Sequence, residues 1–290
     1  MEGIIIKGVG GLYYVKEDGG HGITPCRARG KFRLTGSPLP GDHVVYKPDV
    51  PEGIINEIKP RRNELVRPAI ANVTQAFLVF ALAEPDINWT LLDHFLLVME
   101  QKEIRPVIFF NKKDLASDEL LTKAKTYYEG TGYEALFISA TSEAVVDLIL
   151  PRLDQEVTVL CGPSGSGKST LLNQLLGEER METGVVSVKI KRGKHTTRHT
   201  ELVRMGGGFL ADTPGFSNIE PKGIEYRDLK DLFPEFRKLE GTCRFNGCLH
   251  DQEPGCAVKD EVGKSITPHR YDYYQYMLKR LREEDKYKWD

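Results

Sequence analysis

The sequence predicts a multidomain chain: a small β-barrel or sandwich in front, an α/β domain with a largely parallel sheet in the middle, and a mainly helical tail. Three observations carry this. Residues 1–67 read as short strands punctuated by Gly and Pro, with no helical period of useful length. From Ala69 onward, continuous apolar runs alternate with helix-patterned segments, as in a sheet covered on both faces. From Asn218 no strand pattern continues, and Cys243, Cys248, His250 and Cys256 cluster among helical pieces. The divisions fall at 1–67, 68–218 and 219–290.

Taken in order, the front strands are "GIIIKGVGGLYYV", "GITPCRARGKF", "DHVVYKP" and "EGIINEIKP", followed by a basic linker, "PRRNELVRP" (60–68). Strand "AFLVFAL" opens the central domain. Helix "TLLDHFLLVMEQK", strand "PVIFF" ending at "NKKD", a helix over 117–130, strand "ALFIS" and a helix near 142–150 come next. Strand "VTVLCG", helix "GKSTLLNQLL" and strands "ELVRM" and "GFLAD" complete it. The last helix has Thr267 as N-cap and Pro268 in its first turn. Its stripe of Tyr271, Tyr274, Leu278 and Leu281 reads as packing.

The 290 residues suffice for two or three domains with a buried core. A net charge of −2 gives no overall basic field, so nucleic-acid binding would need local patches. The N-terminus "MEGIIIKGVGG" is not a signal peptide, and no apolar run approaches the roughly eighteen residues of a membrane span. A soluble cytoplasmic protein is expected. Five cysteines, an odd number, argue against a disulfide framework. Cys26 and Cys161 are expected to be small buried apolar residues.

Gly162, Pro163, Ser164, Gly165, Ser166, Gly167, Lys168, Ser169 and Thr170 form a phosphate-binding loop between a strand and a helix. Its glycines let backbone N–H groups face phosphate oxygens, and the helix N-terminus adds positive potential. Lys168 should reach the β- and γ-phosphates, and the Ser169 hydroxyl should ligate Mg²⁺. In "FLADTPG", Asp212 at a strand end can hold Mg²⁺ through water, and the Gly215 N–H can sense the γ-phosphate. The loop alone would suit a transporter ATPase or a nucleotide kinase equally well.

"NKKD" decides the base. Guanine shows N1–H and N2–H₂ donors on the edge where adenine shows an acceptor. The Asp114 carboxylate can take both guanine donors, Asn111 addresses the other side of the base, and the Lys112 stem lies along its face. Such a polar site rejects the wrong base because its groups are left unpaired. Ser139 and Ala140 of "ISA" offer a backbone N–H to the guanine O6. The base motifs thus precede the phosphate loop, and the switch motifs follow it. A doubly wound sheet tolerates such circular permutation, because its termini lie at the surface.

Cys243, Cys248, His250 and Cys256 offer three thiolates and one imidazole within fourteen residues, a closed tetrahedral set of the kind zinc uses structurally. Gly247 and Gly255 allow the tight turns.

Phe216 stands after the "DTPG" glycine, where many switch GTPases carry a water-orienting glutamine. Another group must orient the water. The segment 188–200, "VKIKRGKHTTRHT", supplies candidates: His195, and either Thr196 or Thr197 as a further Mg²⁺ ligand. It carries five Lys/Arg between Lys189 and Arg198, which fit a solvated loop or an RNA contact equally.

"NKKD", "SA", "GPSGSGKS", "HTT" and "DTPGF" in this order, with a β-rich front and a Cys-His tail, resemble the RsgA (YjeQ/YloQ) family of circularly permuted GTPases. The resemblance covers nearly the whole chain. It implies an OB-fold front, a structural zinc, and His195 of "GKHTT" as the histidine that assists hydrolysis. It implies GTP/GDP and Mg²⁺ as ligands, and the 30S ribosomal subunit and 16S rRNA as partners. The role implied is a late-stage assembly checkpoint in which the subunit stimulates the GTPase, and a monomer is expected. An OB-fold commonly binds oligonucleotides. Arg27, Arg29, Lys31 and Arg33 alternate along a predicted strand, and Tyr13 and Tyr14 could offer stacking surface, although an ordinary solvated barrel fits equally. An ATP-using enzyme would need a signature absent here, and Asp114 argues against adenine. A nucleotide-gated RNA-binding module with incidental hydrolysis remains the third reading.

Overall fold

The computed structural model describes residues 1–30, 32, 36–142, 144–182, 200–216 and 219–286, with only the backbone given at 178–182 and 212–216. The chain divides into two units: Met1–Phe77, Ala140–Ser164 and Lys168–Ser217 in the first, and Leu78–Ser139, Gly165–Gly167 and Asn218–Asp290 in the second.

The first unit opens with a closed barrel. Its strands are β1 (Glu2–Val9), β2 (Leu12–Glu17), β3 (Ile23–Ala28), β4 (His43–Lys47) and β5 (Gly53–Ile58), paired in the ring β1-β2-β3-β5-β4-β1. Only the β3–β5 pair is parallel. The stretch read as one strand, "GIIIKGVGGLYYV", is a hairpin. Gly10 and Gly11 take φ of 59° and 80°, a turn whose twist matches the flanking strands. Alternate residues Val15, Cys26, Val44, Tyr46 and Ile55 fill the barrel, each at most 2% exposed. Burial pushes the Cys26 thiol up to about 11, so it is an inert core residue, as expected.

The basic alternation from Arg27 to Arg33 does not run along one strand. β3 ends at Ala28 and Gly30 turns the chain, while Lys31 and Arg33 lie outside the described residues. Arg27 is ion-paired with Glu52. Tyr13 packs against the barrel core, and burial raises its pKa. The stretch 60–68 is likewise more than a linker. It enters a hairpin of β6 (Glu64–Val66) and β7 (Ala69–Ala71). Asn63 imitates a strand partner there, donating to the Val73 carbonyl at 2.9 Å and accepting from its N–H at 3.0 Å. Arg61 grips the fully buried Asp42 with two hydrogen bonds, at 2.7 and 2.8 Å.

The same unit holds β11 (Val157–Cys161), β12 (Glu201–Met205) and β13 (Gly208–Phe216). β11 runs parallel to β13, and β12 antiparallel to it. β12 also pairs with β1, giving the order β11-β13-β12-β1. Asp212 is not at the end of its strand, because β13 continues to Phe216. Between Val159↔Ala211 and Cys161↔Phe216, β11 advances two residues and β13 five, so residues 212–215 form a bulge in the ladder.

In the second unit the strand order is β10-β9-β8, with β10 (Glu134–Phe137) parallel to β9 (Arg105–Asn111) and the last four residues of β8 (Gln75–Ala81) alongside. β8 is buried on both faces, as its unbroken apolar run requires. Helix α1 (Trp89–Gln101) is capped by Asn88, whose Oδ1 accepts from the Leu91 N–H at 2.9 Å. Helix α2 (Asp118–Tyr128) is capped in the same way by Ser117. In the first unit, α3 (Ala144–Ile149) and α4 (Lys168–Glu182) flank β11 in the chain. The tail carries α5 (Pro234–Arg237), α6 (Ala257–Asp260) and α7 (Pro268–Lys286). Thr267 caps α7, and its stripe of Tyr274, Leu278 and Leu281 is buried with Phe233, Phe236, Val258 and Leu97 of α1.

A buried charge network fastens the tail to α1. Arg270 is 1% exposed, and donates to Asp93 Oδ1 and Glu235 Oε1, each at 2.7 Å. The Phe233 ring lies 4.7 Å from its guanidinium carbon. His269 Nε2 is 2.7 Å from the second Asp93 oxygen. Breaking such a network leaves uncompensated buried charge, which costs about 3–5 kcal/mol. Arg270→Met is therefore expected to destabilise this unit by about that amount. Urea unfolding followed by Trp89 fluorescence in a Trp289→Phe background would measure it, and a loss under about 1 kcal/mol would refute the assignment.

Candidate guanine-nucleotide site and metal centre

The base loop begins where β9 ends. Asn111 is buried, at 1% exposure, and its Nδ2 donates to the Ser166 carbonyl at 2.7 Å. The first residue of "NKKD" thus holds the phosphate loop. Lys112 follows in the left-handed region at φ 57°, which turns the chain into the 3-10 turn Lys113–Leu115. The Lys112 ammonium donates to the Glu84 carbonyl, which fixes its stem. Asp114 is exposed. The "ISA" loop is tied to the same place. The Ile138 N–H donates to the Phe110 carbonyl at 2.9 Å, and the Lys113 N–H to the Ile138 carbonyl at 3.1 Å. These bonds hold Ser139 beside Asn111–Asp114, and Ala140 follows as a buried residue.

Gly162, Gly165 and Gly167 take φ of 137°, 78° and 98°, values closed to ordinary L residues, and these angles wrap the loop. Pro85 covers Gly165, lying 3.4 Å from where a Cβ would sit. Ser166 is buried, whereas Ser164, Ser169 and Thr170 are exposed, the last two in the first turn of α4. The Lys168 ammonium donates to the Gly162 and Pro163 carbonyls at 2.7 and 2.6 Å. Burial lowers its pKa, so an anionic phosphate is the partner that best restores its charge. Two parts of this arrangement left no signal in the sequence: the Glu84 carbonyl behind Lys112 and the Pro85 cover on Gly165. Both belong to a loop whose role depends on the fold.

Asp212 and Gly215 lie in the bulged part of β13. His195, Thr196 and Thr197 lie outside the described residues.

The ligand atoms of Cys243, Cys248, His250 and Cys256 all lie within 4.8 Å of one another. His250 Nδ1 is 3.7 Å from Cys243 Sγ and 3.3 Å from Cys256 Sγ. A zinc tetrahedron with Zn–S near 2.3 Å has edges of about 3.7 Å, so the donor set fits the ion. His250 takes φ 54° to enter the cluster. Burial lowers its pKa, keeping the imidazole neutral and ready to ligate. Helix α7 pins the loop from behind. Tyr271 Oη and Gln275 Nε2 donate to the His250 carbonyl at 2.8 and 2.9 Å, and Tyr274 Oη to the Leu249 carbonyl. The Glu253 carboxylate accepts the Leu249 and Asp251 N–H groups at 2.9 Å each.

A phosphate loop between strand and helix, preceded in the chain by a carboxylate-bearing base loop bonded to it and followed by a "DTPG" strand, defines a guanine-nucleotide P-loop protein of circularly permuted order. Comparison with known proteins gives the family. The RsgA GTPase family model matches residues 58–222, and the RsgA N-terminal domain model matches residues 2–55. The Small ribosomal subunit biogenesis GTPase RsgA of Clostridium perfringens is 50% identical over 285 residues, covering 98% of both chains. That of Clostridium beijerinckii is 47% identical over 292 residues, covering 100% of both. The crystal structure of YloQ, a circularly permuted GTPase, matches with a TM-score of 0.82 at 38% identity, over 98% of this chain and 95% of that one. YjeQ from Thermotoga maritima gives 0.80 at 31%, over 97% and 98%. The chain belongs to the RsgA family and is a GTPase that binds guanine nucleotide.

Proposed function

We propose that this GTPase acts in maturation of the small ribosomal subunit, as a late-stage checkpoint whose hydrolysis the 30S subunit stimulates. The observation that supports this most is full-length similarity to relatives named for small-subunit biogenesis. The closed barrel supports a 16S rRNA contact, since such barrels commonly bind oligonucleotides. We read the protein as cytoplasmic and monomeric. Among the described residues no helix is long and apolar enough to cross a membrane. We read the chain as dividing functionally at 1–67, 68–218 and 219–290; the second division lies near the end of the GTPase match at 222, whereas the first lies inside that match, which starts at 58.

In this reading Asp114, Asn111, Lys112, Ser139 and Ala140 select guanine. The backbone of Gly162–Thr170 cradles the phosphates, and Lys168 moves from the loop carbonyls to the β- and γ-phosphates. Ser169, Asp212 and one of Thr196 and Thr197 would hold Mg²⁺, and their oxygen donors suit that hard cation. Bound Mg²⁺ neutralises charge on the phosphate oxygens. Gly215 reports the γ-phosphate, and His195 assists the attacking water in place of the glutamine that Phe216 replaces.

GTP and ATP hydrolysis, with and without purified small subunits, tests this reading. Stimulation confined to GTP and to the subunit is expected, and lost in His195→Ala. Equal use of ATP, or no response to the subunit, would refute it. Asp114→Asn should weaken GTP binding about 10²-fold by removing two charge-assisted hydrogen bonds. It should also admit xanthine, whose O2 accepts from the new amide. Unchanged nucleotide affinities in titration calorimetry would contradict the base assignment.

A further inference from the structure

Lys7 stands where the barrel meets the switch-bearing strands. The first half of β1 closes the barrel, through Glu2↔Val45, Gly3↔Val44 and Ile4↔His43. Its second half pairs with β12 through Lys7↔Glu201. Between these halves the β1–β2 register shifts. Ile5 faces Val15 and Lys7 faces Tyr14, so Ile6 is an extra residue in β1. Such a bulge bends a strand and re-aims the side chain that follows. Here the bulge, in the ladder with β2, falls between the part of β1 that pairs with β4 and the part that pairs with β12.

The pairing is reinforced by the side chains, with Lys7 Nζ 2.7 Å from Glu201 Oε2. Glu201 is in turn the Cα partner of Asp212 across β12–β13. One backbone row therefore runs from Lys7 in the barrel, through Glu201, to the first residue of "DTPGF". In sequence, Glu201 directly follows "GKHTTRHT". A single register pair joins β1 to β12, and both side chains of the ion pair are about a third exposed, at 35% and 34%. A junction of this kind adds little to stability. It is weak enough for a bound partner to tighten or release.

We propose that Lys7 is a positioning residue for the subunit-stimulated part of GTP hydrolysis: its pairing with Glu201 transmits engagement of the barrel along the β12–β13 row, and the basal arrangement at Asp212 does not depend on it. The inference rests on the small-subunit partner proposed above. A partner changes turnover through this row only if it binds the two arrangements of the row unequally.

Lys7→Ala, Glu201→Gln and the exchange Lys7→Glu/Glu201→Lys would be compared with the parent chain in kcat and KM for GTP, with and without small subunits, and in co-sedimentation with the subunit. Both single variants should keep basal turnover, KM and subunit binding. Each should lose about fivefold in stimulated kcat, the scale an exposed ion pair can supply, and the exchange should restore it. Full stimulation in the single variants would overturn the inference alone. So would loss of subunit binding in Lys7→Ala without rescue by the exchange, which would make Lys7 a direct RNA contact. A parent chain that the subunit binds but does not stimulate would overturn the partner reading and this inference together.

Discussion

Lys168→Ala leaves a folded chain whose GTP turnover falls about 10³-fold or more, the loss expected when a preorganised cation is taken from a transferring phosphoryl group. The ammonium is already in place, held by the Gly162 and Pro163 carbonyls at 2.7 and 2.6 Å. Moving it to phosphate exchanges neutral acceptors for charged ones, which make roughly twice as strong a hydrogen bond. Its pKa is already pulled down by burial, so the protein disfavours the cation until the anion arrives. That difference between empty and loaded loop is available to bind GTP and to stabilise charge on the transferring group. Lys168→Arg should fail too, because a planar guanidinium does not fit a cradle built for a compact ammonium. Single-turnover hydrolysis at saturating GTP separates lost chemistry from lost binding. Turnover within tenfold of the parent, in a variant shown to bind GTP, would remove Lys168 from the mechanism.

The nucleotide motifs were legible in the sequence because each is local. A phosphate loop must be contiguous, flanked by a strand and a helix, and its glycines do adopt the positive φ values that demand glycine. The Cys₃His set falls within fourteen residues and its donor atoms do converge. Long-range partners were not legible. Arg270 reads as one more charge on a polar helix, yet its acceptors lie 177 and 35 residues away in sequence. Nothing near it marks a buried network. Periodicity also misled over the basic strand. The alternation from Arg27 to Arg33 implies a strand to Arg33, but β3 stops at Ala28. Gly30 was the signal against it, since glycine weakens a strand interior and often marks a turn or bulge. The bulge in β13 was missed for a related reason, because the mismatch of two residues against five exists only between strands. Asn111 carries both lessons. Its type and position predict a base contact, while its bond to Ser166 depends on loops 55 residues apart in sequence.

The Cys243, Cys248, His250 and Cys256 set suits a structural zinc, and removing that ion should unfold much of the tail. Cys248, His250 and Cys256 are at most 8% exposed, and the two cysteines belong to the same core cluster as Phe236, Tyr274 and Met277. Burial pushes the Cys248 thiol up to about 12, so the metal must create the thiolates that hold it. Without metal, an unlinked set of ligands remains at the centre of a segment whose described elements are the short helices α5 and α6, the 3-10 turn Leu229–Leu232 and α7. Structural zinc contributes about 10–16 kcal/mol of apparent binding free energy in isolated zinc-finger peptides. The apolar cluster here keeps some structure, so a net loss of several kcal/mol is expected. Cys256→Ser should reduce bound zinc from one ion per chain to a substoichiometric amount by mass spectrometry. It should also expose the amide groups of α7 to hydrogen exchange. The damage should reach α1, since Leu97 shares the core cluster and Glu100 accepts from Arg237 at 2.8 Å. Trp89 at the start of α1, in contact with Tyr127 and His269, reports that spread by fluorescence. A zinc-free variant with unchanged exchange in α7 would mean that the apolar cluster alone holds the tail and that the metal serves another purpose.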